Sequence, residues 1–447
     1  MIDPNAYFVA ALAGVLVAEA IDAVGEVLNL RRLTPELPVE FADLHDGDSY
    51  AKSQRYTREN TALGFWSAGF DLAVLLVLWL AGGFGWLDGA LRGLDLGPVP
   101  TGLLFFVVLM AAKAILDLPF GVYATFVIEE RFGFNRTSRR TFVLDLMRGT
   151  LVSAAIGLPL LTAFLAVFTY LDWYAWLVAW AVVAAAVLVL QVIVPTFFLP
   201  LFNKFTPLEE GELRSAIFAY ADRAHFPLKA VYSVDASRRS SHGNAYFTGV
   251  GKSKRIALFD TIIERHPIPE LVAVLAHEIG HHKKRHVSVT TAAGILEIGL
   301  FLGLFSLLLK QDGLYAAFGF SQSSVCAGLI AVAILLRLLQ FVLSVGGAAL
   351  SRHNERQADA FAASTTDGGA ALADGLARLS KDSLSNLTPH PFYVTLNYSH
   401  PPVLERLRSL RGATSSRSDR PGSGIPGPAG AAGSEIAPGG PASFRSE

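Results

Sequence analysis

Apolar residues run along this chain in stretches too long for a soluble core. A helix of roughly 20 mostly apolar residues crosses about 30 Å of hydrocarbon. Seven stretches reach that length, near residues 6–30, 63–84, 101–128, 149–170, 173–201, 287–309 and 327–350. The pattern predicts a multi-pass, all-α membrane protein. About 85 residues of mixed composition separate the fifth stretch from the sixth. The chain therefore divides into a five-span region (1–202), a polar segment (203–286), two further spans (287–350), a C-terminal polar part (351–411) and a tail (412–447). Gly, Ala, Ser and Pro dominate that tail, which has too little apolar surface to bury a core and is expected to be disordered.

Composition agrees and narrows the function. Of 447 residues, 52% are hydrophobic and 17% charged, with mean hydropathy +0.42, whereas soluble proteins are about a quarter charged. Thirty-seven basic against 38 acidic residues leave a formal charge of −1, which argues against a nucleic-acid partner. The single cysteine, Cys326, excludes an intrachain disulfide and a cysteine-rich metal cluster. The Met1-Ile2-Asp3-Pro4 start lacks the basic region of a cleaved signal peptide. Five basic residues follow span one and five follow span three, against about one each after spans two and six. That alternation predicts an outside N-terminus, with the polar segment and C-terminus in the cytoplasm. Arginine outnumbers lysine 27 to 10 and Gly and Ala abound, pointing to a GC-rich bacterial genome and a bacterial cell membrane rather than the endoplasmic reticulum.

Several spans carry ionisable residues: Glu19, Asp22, Glu26, Asp71, Lys113, Asp117, Glu297 and Arg337. Each costs a few kcal/mol against lipid, so each is expected to face a bundle interior, a partner or water. Arg337, Gln340, Ser344, Ser351 and Glu355 fall on one helix face, a polar stripe that predicts a wet cavity leading to Glu355.

The sharpest chemistry is His277-Glu278-Ile279-Gly280-His281, an H-E-x-x-H motif behind an apolar helical run. Helical spacing sets His277 and His281 about 40° apart, so both imidazoles can bind one zinc ion. Glu278 lies on the flank, placed to take a proton from a metal-activated water. His282 and His286 point away on the same helical wheel and read as interfacial residues beside Lys283, Lys284 and Arg285.

A zinc protease needs a third protein ligand and an open fourth position. The metzincin continuation fails at Lys284 and Val287, and the position twenty residues downstream is Phe301. The next candidate is Glu355, within Ser351-Arg352-His353-Asn354-Glu355-Arg356-Gln357-Ala358-Asp359. Glu355 and Asp359 stand one helical turn apart, where a ligand and its supporting acid can share a face. Glu355 could equally be a surface charge paired with Arg352 or Arg356.

These blocks resemble the type I CAAX prenyl endopeptidases, integral-membrane zinc metalloproteases. The resemblance covers residues 1–410 and extends to Glu129-Glu130-Arg131-Phe132-Gly133-Phe134-Asn135, the segment 200–208, Asn244-Ala245-Tyr246-Phe247 and Ser399-His400-Pro401-Pro402 with Arg406. It implies seven transmembrane helices forming a barrel around a water-filled chamber, with a small cytoplasmic α+β zinc-protease portion. It also implies one zinc ion on His277, His281 and Glu355, Asp359 orienting a histidine ligand, and Glu278 in the catalytic position. His400 and Arg406 would stabilise the oxyanion or orient substrate, and Asn244, Ala245 and Tyr246 would pair with an extended substrate backbone. The expected partners are a polypeptide substrate and the lipid bilayer, the substrate being a prenylated CAAX C-terminus or a misfolded or membrane protein.

Two other readings compete. A site-2-type intramembrane protease also uses H-E-x-x-H, but expects an aspartate ligand on a later span. A structural zinc site in a scaffold or transporter would require a closed fourth position. No proline interrupts residues 270–309, so the zinc helix is expected to run straight into span six, with Ser288 and Thr291 continuing its histidine face.

Overall fold

Local caps start several of the long helices in the computed structural model, which describes residues 2–34, 36–41, 46–248 and 254–418. The Asn5 side chain accepts from the N–H groups of Tyr7 and Phe8 and opens α1 (Ala6–Arg31). Asp46 accepts from Ser49 and opens α2 (Gly47–Leu80), which a short α3 (Gly83–Arg92) separates from α4 (Pro98–Tyr123). A π-helical turn, Ala124–Glu129, carries α4 into α5 (Glu130–Phe132). Ser138 caps α6 (Arg139–Tyr170), and α7 (Ala175–Ile193) runs through a second π-turn, Val194–Phe198, into α8 (Leu199–Phe202).

The mixed segment supplies a four-stranded sheet: β1 (Phe205–Pro207), β2 (Leu228–Val234), β3 (Ala245–Thr248) and β4 (Lys254–Phe259), in the order β1-β2-β4-β3. The β2/β4 pair is parallel and the other two pairs antiparallel, so β3 forms one edge. Between β1 and β2 lies α9 (Glu212–Arg223), and after β4 come α10 (Asp260–Arg265) and α11 (Ile268–Lys283). The chain then forms α12 (His286–Leu308), α13 (Asp312–Ala317), α14 (Val325–Leu335) and α15 (Arg337–Thr365). It closes with α16 (Ala370–Asp382), α17 (Pro391–Asn397) and α18 (Val403–Ser418).

Among the described residues, six helices are long and apolar enough to cross a membrane, and α14 with α15 makes a seventh if taken as one span bent by 60°. Trp66, Val77, Ile115, Leu151 and Leu296 lie exposed on these helices, a surface suited to lipid and hazardous in water. The chain is thus a helix-rich, multi-pass membrane protein. Some of the intramembrane charges are paired: Arg337 meets Glu19 across helices at 3.1 Å, and Lys113 meets Asp71 of α2 at 3.3 Å and Asp117 one turn on in its own helix. Glu19, Asp22, Glu26, Asp71 and Arg337 line one cavity of about 860 Å³.

Three expectations change. The seventh stretch bends at Leu336. The zinc helix stops at Lys283, because Arg285 takes a left-handed conformation (φ 59°) and α12 starts on a new axis. Thr291 therefore does not extend the histidine face; its hydroxyl accepts a hydrogen bond from Gln191 at 2.8 Å. Finally, α18 continues through Ser418, past the boundary expected at 411. The rest of the predicted disordered tail, 419–447, lies outside the described residues.

Candidate metal centre

Pro269 in the first turn and Glu270 beside it favour the start of α11. Its apolar face, including Leu271, Leu275 and Ile279, sinks into a core shared with Ile217, Ile256, Ile262 and Leu372. That burial fixes the rotation of the helix and turns His277 and His281 toward α15. Gly280 permits close approach: a Cβ there would stand 3.1 Å from the Ala358 Cα and 3.2 Å from its carbonyl oxygen.

The approach brings Glu355 onto both histidines. His277 Nε2 and His281 Nε2 are 3.1 Å apart, and they lie 3.3 and 3.2 Å from Glu355 Oε2 and Oε1. One ligand atom from each residue falls within a 4.8 Å spread. Glu355 Oε2 is buried and makes no hydrogen bond. A buried carboxylate oxygen left so, with two imidazole nitrogens aimed at the same space, fits a divalent cation better than any group of the protein.

Behind the ligands lies a salt-bridged support. His277 Nδ1 is 2.8 Å from Asp359 Oδ1, and Arg406 donates to both Asp359 oxygens, at 2.8 Å from Nε and 2.6 Å from Nη2. Arg406 Nη1 also stands 3.6 Å from Glu355 Oε2. Burial opposes charge on His277, but Asp359 and Glu355 outweigh it and lift its pKa to about 9. A cation at Nε2 competes with that proton. Burial pushes the Glu278 carboxyl upward. His400 Nε2 sits 3.3 Å from Glu355 Oε1, and Ser399 Oγ is 2.9 Å from its Nδ1. The buried Arg352 fixes this turn by donating to the carbonyls of Val394 and Tyr398, at 3.1 and 2.6 Å.

A cleft of about 160 Å³ adjoins the cluster, with Glu278, His400, Arg406, Asn244 and Ala245 in its wall and Leu376 among its apolar residues. Tyr246 follows in edge strand β3. The structure therefore brings together His277, His281, Glu355, Asp359, Glu278, His400 and Arg406, and leads the predicted edge strand to the same cleft. Glu355 is buried among the histidines, not paired on the surface with Arg352 or Arg356.

His286 is the residue that sequence reasoning missed. The helical wheel turned it away because it assumed one continuous helix. The break at Arg285 instead returns His286, buried, to 3.0 Å from His281 Nδ1. His282 does turn away, and packs with Lys254 and Phe226.

Residues 26–204 match the family model described as CAAX prenyl protease N-terminal, five membrane helices, and residues 207–414 match that of peptidase family M48. The CAAX prenyl protease 1 homolog of Arabidopsis thaliana is 36% identical over 399 residues, spanning 86% of this chain and 93% of the plant protein. CAAX prenyl protease 1 of Saccharomyces cerevisiae is 33% identical over 84% of this chain and 88% of its own. The crystal structure of S. mikatae Ste24p is similar with a TM-score of 0.86 at 31% identity, over 91% of this chain and 99% of that one.

Proposed function

The chain belongs to peptidase family M48 and is a membrane metalloendopeptidase, and from that premise we propose that it is a zinc enzyme cleaving polypeptides presented at the membrane, prenylated CAAX C-termini among them. The observation that carries this reading is the convergence of His277, His281 and Glu355 with Glu278 on the wall of the adjoining cleft. Zinc in such a site supplies Lewis acidity, polarising a scissile carbonyl and lowering the pKa of a water toward ~7.

The protein's own groups do the rest. Glu278 takes a proton from the attacking water and returns one to the leaving amine nitrogen, and its upward-shifted carboxyl suits both transfers. Asp359 accepts from His277 Nδ1 and so leaves Nε2 free as a ligand. Arg406 keeps Asp359 charged in a buried place. His400, reaching into the same cleft, is suited to hold the oxyanion or the substrate carbonyl. The edge strand at Asn244, Ala245 and Tyr246 would take the substrate backbone by strand addition. The basic loops favour a cytoplasmic active site, and the charged cavity favours helices arranged around a water-filled chamber. A prenylated C-terminus could then present its peptide from the membrane side.

The test compares purified wild type with Glu278→Gln on a farnesylated CAAX peptide and on an unmodified unfolded polypeptide, with zinc quantified in both preparations. Cleavage by wild type and none by a zinc-loaded variant is expected. A wild type holding stoichiometric zinc yet cutting neither substrate would count against the proposed substrates.

A further inference from the structure

The two histidines of the metal centre are supported differently. His277 Nδ1 meets a carboxylate, whereas His281 Nδ1 meets the imidazole of His286 at 3.0 Å. We propose that His286 is a positioning residue for the metal: its Nδ1 accepts the hydrogen bond that fixes the tautomer and ring orientation of His281. The proposal rests on the reading of His281 as a ligand through Nε2.

The direction of every bond in the chain follows from that reading. His281 Nε2 faces His277 and Glu355, so as a ligand it carries no proton, and the neutral ring holds its hydrogen on Nδ1. That hydrogen can go only to an acceptor, so His286 Nδ1 is bare and His286 carries its proton on Nε2. His286 Nε2 lies 3.2 Å from Gln357 Oε1, an acceptor. The Gln357 amide nitrogen, at 2.7 Å, then donates to His353 Nε2. Ligand, His286, Gln357 and His353 form a one-way series of three hydrogen bonds, in which His286 and Gln357 each accept one and donate one. Neither nitrogen of His286 faces the ligand space, so it supports the site rather than joining the ligands.

Backbone geometry gives the arrangement its cause. Arg285 is one of four non-glycine residues with positive φ among those described, a conformation that L-residues adopt only at a cost. It places the first residue of span six beneath a metal ligand, and ties the membrane helix to the centre through one hydrogen bond. The acceptor is neutral, so His281 should be a less basic ligand than His277, whose acceptor is charged.

The experiment uses the full-length, zinc-loaded protein in detergent and follows zinc release to excess chelator. His286→Ala is expected to lower zinc affinity by about 10–100-fold. His286→Asn, whose Oδ1 occupies the place of Nδ1 and still accepts, is expected to hold zinc nearly as wild type does. The visible spectrum of the cobalt-substituted protein should shift in the alanine variant and not in the asparagine one. Wild-type zinc retention by His286→Ala, or equal loss by both variants, would overturn the proposal. A His281→Ala variant that binds zinc as wild type does would overturn the ligand reading itself, and the proposal with it.

Discussion

Gly280 and Ala358 meet backbone to backbone, with the Ala358 Cα only 3.1 Å from where a Gly280 side chain would begin. Neither residue bears chemistry, yet their contact sets the distance between the helix carrying His277 and His281 and the helix carrying Glu355. The ligand spread of 4.8 Å depends on that missing methyl group. The glycine within the H-E-x-x-H motif thus serves helix packing, while the residues around it serve the metal.

Gly280→Ala should therefore weaken the centre without altering any ligand. The new methyl would press on Ala358 and on Phe361 Cβ, 3.2 Å away, and overpacking of this kind costs about 1–3 kcal/mol. Zinc titration and thermal unfolding should both show the loss. A variant with wild-type affinity would mean that α15 yields freely.

Asp359→Ala should be more damaging than Arg406→Ala. Asp359 serves both His277 and Arg406, so its loss leaves the buried guanidinium only the more distant Glu355 carboxylate at 3.6 Å, and breaking a buried pair costs about 3–5 kcal/mol. Loss of Arg406 leaves Asp359 still paired with His277. Chemical unfolding of the metal-free proteins would rank the two, and zinc affinity should fall about 10–100-fold in Asp359→Ala. Equal destabilisation would place the main support in the ion pair and not in the histidine contact.

What the sequence disclosed follows the range of each interaction. The two histidines were legible because a ligand pair one turn apart is a local pattern, and the spans because lipid demands long apolar runs. Glu355 was only a candidate until α11 and α15 were seen in contact, since nothing local distinguishes it from a surface acid. His286 was hidden by the left-handed turn at Arg285, a conformation that arginine seldom signals. The bend at Leu336 falls beside Arg337, and neither proline nor glycine stands there to mark it. Edge strand β3 entered only through resemblance, because its partner β4 supplies the pairing that makes it a strand.

The segment before that edge strand is clamped to the membrane region, and Phe134→Ala should expose the consequence. Phe134 stacks on His242 with centroids 4.1 Å apart, and its carbonyl accepts from Ser241 N–H at 3.2 Å. Glu129, at the end of the π-turn, accepts from the Tyr56 hydroxyl at 2.5 Å and lies 3.5 Å from His242 Nε2. Residues 243–245 leave this clamp to reach the cleft. Removing the ring should raise KM for peptide, while zinc content stays at the wild-type level. Small displacements of a bound substrate can cost up to about 100-fold. Unchanged KM would show that β4 alone holds the edge strand.

The His266–Glu270–Arg378 cluster gives the polar portion an acid-sensitive joint at the start of the zinc helix. His266 Nδ1 is 2.9 Å from Glu270 Oε2, and Arg378 Nε lies 3.1 Å from the same oxygen. Burial lowers the His266 pKa below its ordinary 6.5, with the Glu270 carboxylate opposing only in part. The folded imidazole therefore stays neutral where the unfolded one already binds a proton. Its contribution to stability is complete above the unfolded pKa and is lost as pH falls toward and through the folded one. Wild-type stability should accordingly drop from pH 6.5 downward by more than that of His266→Asn, whose amide can still donate to Glu270 but does not titrate. Denaturant midpoints of the two metal-free proteins, measured in parallel across that range, should diverge with acid. Parallel curves would assign the acid sensitivity to other groups.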